Sequence, residues 1–263
     1  MNSIDRISLL LKNQGLSGVY QKILTKIFGK AILPNFKEHL GYFQGKSGIE
    51  IGGPSQIFRP NEPLPIYPLI GGLDGCNFSS ETMWEGALSN EKPYQFHPGR
   101  EGKQFISEAS DLTHISTQSY DFLISSNCLE HIANPIKALR EWIRVVKPQG
   151  AILVAVPNKD YCFDHRRPVT SFHHLLQDEA ANMPETDMTH LEEILSLHDL
   201  SRDPLAGDFA SFKARSEANF TYRGLHHHIF DMGLMKELFN YLQLRIVFTH
   251  KGGQDHVILG IKS

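Results

Sequence analysis

The chain has 263 residues, 41% hydrophobic and 21% charged, which is ordinary globular usage and long enough for one large core. Its 26 Lys and Arg against 29 Asp and Glu give a formal charge of −3, and with no long basic run this removes nucleic acid as the default partner. Cys76, Cys128 and Cys162 are an odd number at no metal-ligand spacing, which favours a reducing cytoplasmic setting over a disulfide framework, and no apolar run approaches the roughly 18 residues of a membrane span.

From Ser3 to Leu33, apolar residues such as Ile4, Ile7, Leu10, Leu11, Ile23, Leu24 and Ile27 recur at helical spacings, broken near Gly15 to Gly18. The spacing predicts two short amphipathic helices. Asp5, Arg6 and Lys12 interrupt the apolar residues, unlike a secretory signal. Such faces suit packing on the main domain or across a homodimer interface. Lys12, Lys22, Lys26 and Lys30 also fit a peripheral membrane contact, and a lid over a bound ligand is a third reading. With Asn35 to Lys46 as linker, residues 1–46 form an N-terminal helical extension.

Gly48 to Ser55, GIEIGGPS, reads as a strand ending in an acidic residue and then glycines. Glu50, Gly52 and Gly53 there would let backbone approach a ligand closely. Pro54 to Pro68 holds five prolines in fifteen residues, so it is an extended loop rather than a helix. Two more strands are expected within Pro68 to Phe78 and Gln104 to Leu112. The first carries Asp74, which reads equally as a ligand contact or as a turn residue before Gly75. The second leads into Glu108, Ala109, Ser110 and Asp111.

Tyr120 to Pro157 is the most informative stretch. Phe122 to Ile124 is a short apolar run without helical period, predicting a strand over Asp121 to Ser126. Asn134 as N-cap and Pro135 at the first helical position open a helix in which Ile136, Leu139, Trp142 or Ile143, and Val146 recur at spacings of three and four. Lys147, Pro148 and Gly150 stop it. Ala151 to Val156 is continuously apolar, as expected of a central parallel strand.

On these residues the segment YDFLISSNCLEHIANPIKALREWIRVVKPQG resembles the second half of a class I S-adenosylmethionine-dependent methyltransferase domain of the bacterial type 11-like kind. Asp121, Leu129, Glu130, His131, Lys147, Pro148 and Gly150 fall in step with that family. The resemblance implies an α/β fold over residues 47–263: a doubly wound, seven-stranded, mostly parallel, Rossmann-like sheet. Its last strand would run antiparallel between the fifth and sixth, which the terminal hairpin Leu244 to Thr249 and His256 to Ile261, around KGGQD, would supply. It further implies S-adenosylmethionine as cofactor, with Glu50, Gly52 and Gly53 at the methionine part, Asp74 at the ribose hydroxyls, Glu108 and Ala109 at the adenine, and Ser126 and Asn127 near the same strand end as His131. Pro54 and Gln56 stand where the family has its second and third glycines.

Residues 158–230 read as a substrate-side insertion after the fifth strand. Asp164, His165, Arg166 and Arg167 follow directly on that strand, at the sheet edge where ligands bind. Arg166 and Arg167 suit an anionic or polyhydroxylated substrate, and His165 or Asp164 could take a proton from an acceptor hydroxyl. The competing account is a salt-bridged turn of Asp164 with Arg166 or Arg167, capping a helix that begins near Thr170. The string Phe-Asp-His-Arg-Arg-Pro-x-Thr also resembles a bacterial subgroup of these methyltransferases associated with glycan biosynthesis.

Pro184 to Asn219 is polar and helix-prone, with an apolar stripe through Leu191, Ile194 and Leu195. Beyond it, His226, His227 and His228 precede a helix over Asp231 to Leu242. His226 and His228 share a face if that piece is extended, as substrate-binding and catalytic groups. With His165 they could form a three-His metal site. His173 and His174, adjacent in a helix, point about 100° apart. With no HExxH or Cys/His ligand spacing, imidazoles lining a polar pocket are favoured and no metal is expected. The expected activity is methyl transfer to a small-molecule or saccharide acceptor, at oxygen. The alternatives are a non-catalytic S-adenosylmethionine-binding protein and a His-metal hydrolase or lyase.

Overall fold

The computed structural model describes residues 31–79, 81–82, 86–87 and 92–263. The amphipathic helices expected across Ser3 to Leu33 therefore lie outside the described residues, apart from the last three positions, and so do the dimer, lid and membrane readings attached to them.

A seven-stranded sheet forms the centre. In chain order its strands are β1 (Ser47–Ile51), β2 (Gly72–Asn77), β7 (Gln104–Ile106), β8 (Tyr120–Ser126), β9 (Val146–Pro157), β10 (Leu244–His250) and β11 (Asp255–Lys262). Two short ribbons, β3 (Glu81–Thr82) with β4 (Gly86–Ala87) and β5 (Tyr94–His97) with β6 (Arg100–Gly102), lie outside it. The spatial order is β10-β11-β9-β8-β1-β2-β7. β1 pairs in parallel with both β2 and β8, while β11 runs antiparallel between β9 and β10. The chain thus winds outward in both directions from β1, and the winding reverses between β1 and β8. In an open α/β sheet the crevice above that reversal is where ligands bind.

Each face of the sheet has its own core. On one, Ile49, Ile51, Leu123, Ile152 and Val154 meet α1 (Pro135–Val145) through Ile136, Leu139 and Trp142. As the sequence pattern predicts, Asn134 caps this helix, accepting from Lys137 N at 3.0 Å, and Pro135 sits in its first turn. Trp142 is fully buried and its Nε1 donates to Ala109 O at 3.0 Å, tying α1 to the loop after β7. The opposite face is covered by residues 36–70. The segment read as a linker, Asn35 to Lys46, buries Phe36 against Phe248 and Phe43 against Phe122, both at 5.3 Å between ring centroids. It is part of the core because each aromatic ring removes a large apolar area from water.

Lys147, Pro148 and Gly150 do not form a separate turn. The chain passes straight from α1 into β9 at Val146, and Gln149 takes a left-handed φ of 60° where β8 and β9 shift register. Lys147 Nζ bonds Asp121 Oδ1 at 2.7 Å across that irregular start.

The insertion carries α2 (Phe172–Ala180), α3 (Leu191–Leu197), α4 (Phe209–Glu217) and α5 (Asn219–Tyr222), and α6 (Met232–Tyr241) returns to the sheet. Ile194, Ala206, Phe212 and Leu225 give the insertion a small core of its own. Among the described residues no helix is long and apolar enough to cross a membrane.

Trp142→Ala should lower the unfolding free energy in urea by about 3–5 kcal/mol, the usual loss for a fully buried large aromatic. A change below about 1 kcal/mol would contradict its placement between α1 and the β7 loop.

Candidate active site

The tips of β1 and β8 stand side by side, with Ser125 Oγ donating to Ile51 O at 3.0 Å. Beyond β1 the chain turns at Gly52, whose φ of 80° and whose distance of 2.9 Å from a notional Cβ to the Cys128 side chain leave room for no other residue. Beneath the turn lies Glu50, fully buried. Its Oε2 accepts from Tyr67 OH at 2.7 Å and Tyr94 OH at 2.6 Å, and its Oε1 accepts from Ser55 N at 2.9 Å. Burial pushes this carboxyl above its ordinary value, against the opposing effect of those hydrogen bonds. Burial and the Glu50 charge hold both phenols above theirs, so they stay protonated donors.

Gly53 is explained by the same arrangement. A Cβ there would lie 2.2 Å from Glu50 Cδ and 2.2 Å from Tyr94 OH. The glycine is needed because a carboxylate and a phenol press up from below, and Ser55 N donates to Glu50 and Tyr67 rather than facing a ligand.

Above β1, β2, β7 and β8 opens a narrow cleft bounded by Gly52, Asn77, Phe78, Glu108, Ala109, Asn127, Cys128, His131, Glu185 and Arg223. Asn77 Nδ2 donates to Gly53 O at 3.1 Å, while its buried Oδ1 has no hydrogen-bond partner among the described residues. His131 is held down to about 3 by burial and by His226, so its imidazole is neutral, with Nδ1 2.9 Å from Leu225 O. Arg223, with a left-handed φ of 51°, sends its guanidinium in from the insertion. It meets Glu108 at 2.5 Å and Glu185 at 2.6 Å, 5.2 Å from the centre of the Phe78 ring. Burial raises the Glu108 carboxyl and Arg223 opposes it.

A wider, open groove adjoins this cleft, lined by Pro54 to Ile57, Ser126, Asn127, His250 and the 252–255 turn. Gly52 and Asn127 border both spaces.

Residues 35–202, 168 of the 263, match a family described as a methyltransferase domain. The chain belongs to that methyltransferase family. Among solved structures the methyltransferase is similar to an S-adenosylmethionine-dependent methyltransferase from Mesorhizobium loti, at 11% identity and a TM-score of 0.51 over 87% of this chain and 96% of that one. It is also similar to S-adenosylmethionine-dependent methyltransferases from Methanosarcina mazei (14% identity, TM-score 0.43, covering 88% and 99%) and Aquifex aeolicus (11%, 0.41, 86% and 87%). No protein with a curated description matches. The fold is the seven-stranded methyltransferase sheet and the cofactor is S-adenosylmethionine. The cleft fits that group: Asn77 Oδ1 offers a buried acceptor without a partner among the described residues, and Glu108 places a carboxylate at its far wall.

Of the residues singled out in the sequence, Gly52, Glu108, Ala109 and Asn127 line the methyltransferase's cleft, Ser126 lines the groove, and Glu50 and Gly53 support the floor from behind. Asp74 does not reach it. It pairs with Ile49, below the strand tips, and its carboxylate accepts from Lys103 N at 2.8 Å and Tyr120 OH at 2.7 Å. Asn77, three residues on, stands at the tip instead. The insertion set is also corrected. Asp164 and Arg167 are buried against each other at 3.4 Å. Arg167 is also bound to Glu193 at 2.7 Å and donates to His226 O and His227 O. That guanidinium ties the insertion together and is closed to substrate. His165 and Arg166 share Asp199, at 2.9 and 3.3 Å. His226 Nδ1 lies on Asp164 at 2.5 Å, and His228 is buried with Nε2 3.2 Å from Ala133 O. These six residues line neither the cleft nor the groove, and His165, His226 and His228 form no three-His site.

The sequence reading missed Asn77, Glu185, Arg223 and the 252–255 turn. Arg223 lies 115 residues from its partner Glu108, and no local pattern signals such a pairing.

Glu130 is a further buried group. Both its oxygens lack hydrogen bonds among the described residues, and burial pushes it from its ordinary 4.5 to about 7, with His226 opposing. A carboxyl raised on folding binds more protons in the native state between those two values, so stability falls as pH rises from about 4.5 to about 7. Glu130→Gln removes that loss, and the variant should gain on the parent across the same window in pH-dependent urea melts. Parallel curves would show that Glu130 is ordinary. Gly53→Ala should cost about 1–3 kcal/mol by overpacking Glu50 and Tyr94 and should weaken S-adenosylhomocysteine binding; unchanged stability and affinity would contradict the tight contact.

Proposed function

We propose that the methyltransferase acts on a hydroxyl of a small polar molecule or saccharide held in the groove beside Ser126, Asn127 and the 252–255 turn. The observation that carries this reading is the junction of groove and cleft at Gly52 and Asn127. S-adenosylmethionine supplies a methyl group on a positively charged sulfur. Gly52 and Asn127 hold the backbone that separates the two ligands, Asn77 and Glu108 accept hydrogen bonds, and Arg223 covers the far end over Phe78. Positioning then does most of the work, with one general base for an oxygen acceptor.

His250 and Asp255 are the titratable side chains that line the groove, and an imidazole has the more suitable ordinary pKa for taking a hydroxyl proton. This role passes to His250 because His165, Asp164 and His228 are engaged elsewhere. The free thiols of Cys76, Cys128 and Cys162 agree with a cytoplasmic setting. A second reading, binding without turnover, is favoured by Arg223 and Glu185 occupying one wall of the cleft.

Titration with S-adenosylhomocysteine at about 100 times its dissociation constant should stabilise the fold by about 2.7 kcal/mol. Labelled methyl transfer should then occur to monosaccharides or small polyols in a panel that also holds amines and thiols. His250→Gln should lower kcat by about 10²-fold or more with S-adenosylhomocysteine affinity unchanged. Transfer to amines alone, or full activity in His250→Gln, would contradict the assignment; binding with no transfer to any acceptor would favour the second reading.

A further inference from the structure

We propose that His174, His190 and His228, with Asp178 beside them, form a site for a divalent transition metal, zinc above others, that ties three pieces of the insertion together. The four residues come from three separate pieces of chain. His174 and Asp178 are four apart on α2, so they share one face of that helix. His190 is the residue just before α3, and His228 follows α5 in the extended piece that leads to α6.

The distances suit one ion. His174 Nε2 is 3.1 Å from His190 Nε2 and 3.4 Å from Asp178 Oδ2. One ring nitrogen from each of the three histidines lies within 4.8 Å of the others. Around a tetrahedral zinc ion with bonds of about 2.0–2.2 Å, ligand atoms stand about 3.3–3.5 Å apart, between the observed 3.1 Å and the 4.8 Å that bounds the three nitrogens. Three imidazoles, with a carboxylate beside them, form the nitrogen-rich donor set that suits zinc and its neighbours rather than calcium or magnesium.

A second observation points to the same missing partner. Asp178 is 3% exposed, and its Oδ2 has no hydrogen-bond partner among the described residues. His228 is 1% exposed and its Nδ1 likewise has none, while its Nε2 sits on Ala133 O at 3.2 Å, so Nδ1 is the nitrogen open to an ion. Buried polar atoms left in this way cost stability unless something pairs with them. His174 is about one-third exposed, which leaves a path for the ion to enter.

One ion held by three imidazoles ties α2, the start of α3 and the segment after α5 together. Its consequence reaches the methyltransferase cleft. Glu185 lies between Asp178 and His190 in the chain, and Arg223 lies five residues before His228; these two bring the insertion's charges into the cleft. Fixing α2, the approach to α3 and the segment after α5 to one ion would fix both.

The test uses the full chain carrying no polyhistidine tag, stripped with a chelator and dialysed. Calorimetric titration with zinc should show one equivalent bound with a dissociation constant below about 1 μM. Cobalt(II) should give the intense visible absorption of a four-coordinate ion. His190→Gln, at a half-buried position that folding tolerates, and Asp178→Asn should each weaken zinc at least about tenfold, while His165→Ala should not. Circular dichroism confirms that each variant folds. Absence of stoichiometric zinc binding by the stripped protein, or equal affinity in His190→Gln and the parent, would overturn the site and leave His174 and His190 as a hydrogen-bonded imidazole pair.

Discussion

The buried carboxylate of Glu50 is the constraint on which the cofactor end of the molecule depends. A charge placed fully inside a protein persists only where hydrogen bonds replace its water, and here two phenols and a backbone amide do so. Tyr67 reaches it from the proline-rich loop and Tyr94 from β5, so one carboxylate fixes two loops and the turn above it. The methyltransferase therefore keeps an ordered floor at Gly52 and Gly53 although Pro54 and Gln56 replace two expected glycines. The strand tip is held from beneath, which relieves the loop of holding itself through successive glycine turns.

The insertion works on a similar principle at the other wall. Arg167 is closed in by Asp164, Glu193 and two carbonyl oxygens of the His226 and His227 backbone, and Asp164 in turn holds the His226 ring. Removing one member of such a buried ion pair leaves an uncompensated charge, so these residues stand or fall together. Their position explains how a polar segment poor in apolar residues can still present Arg223 and Glu185 at a defined place over β2 and β7.

Much of this was legible in the sequence where the signal is local. The Asn134 cap, the spacing of Ile136, Leu139 and Trp142, the apolar run of β9 and the glycine hairpin all declare elements through near neighbours, and together they order the sheet. Gly52, Glu108, Ala109 and Asn127 could be placed because strand ends converge on one edge of a parallel sheet. Asp74 misled because an acidic residue in β2 has the right chemistry but the wrong height, and one strand position decides which way a side chain points. Arg166, Arg167 and His165 misled for another reason. Their residue types fit a substrate, but their partners Asp199 and Glu193 lie 34 and 26 residues from His165 and Arg167, and sequence alone does not show which charges neutralise each other.

The central claim is that the space between Gly52, Asn77, Glu108 and Asn127 holds the nucleoside. A crystal structure of the protein with S-adenosylhomocysteine tests it most directly. The account predicts the adenine beside Glu108 and Ala109 and the amino-acid end over Gly52. Density for the nucleoside in the groove by His250, or among the histidines of the insertion, would contradict it.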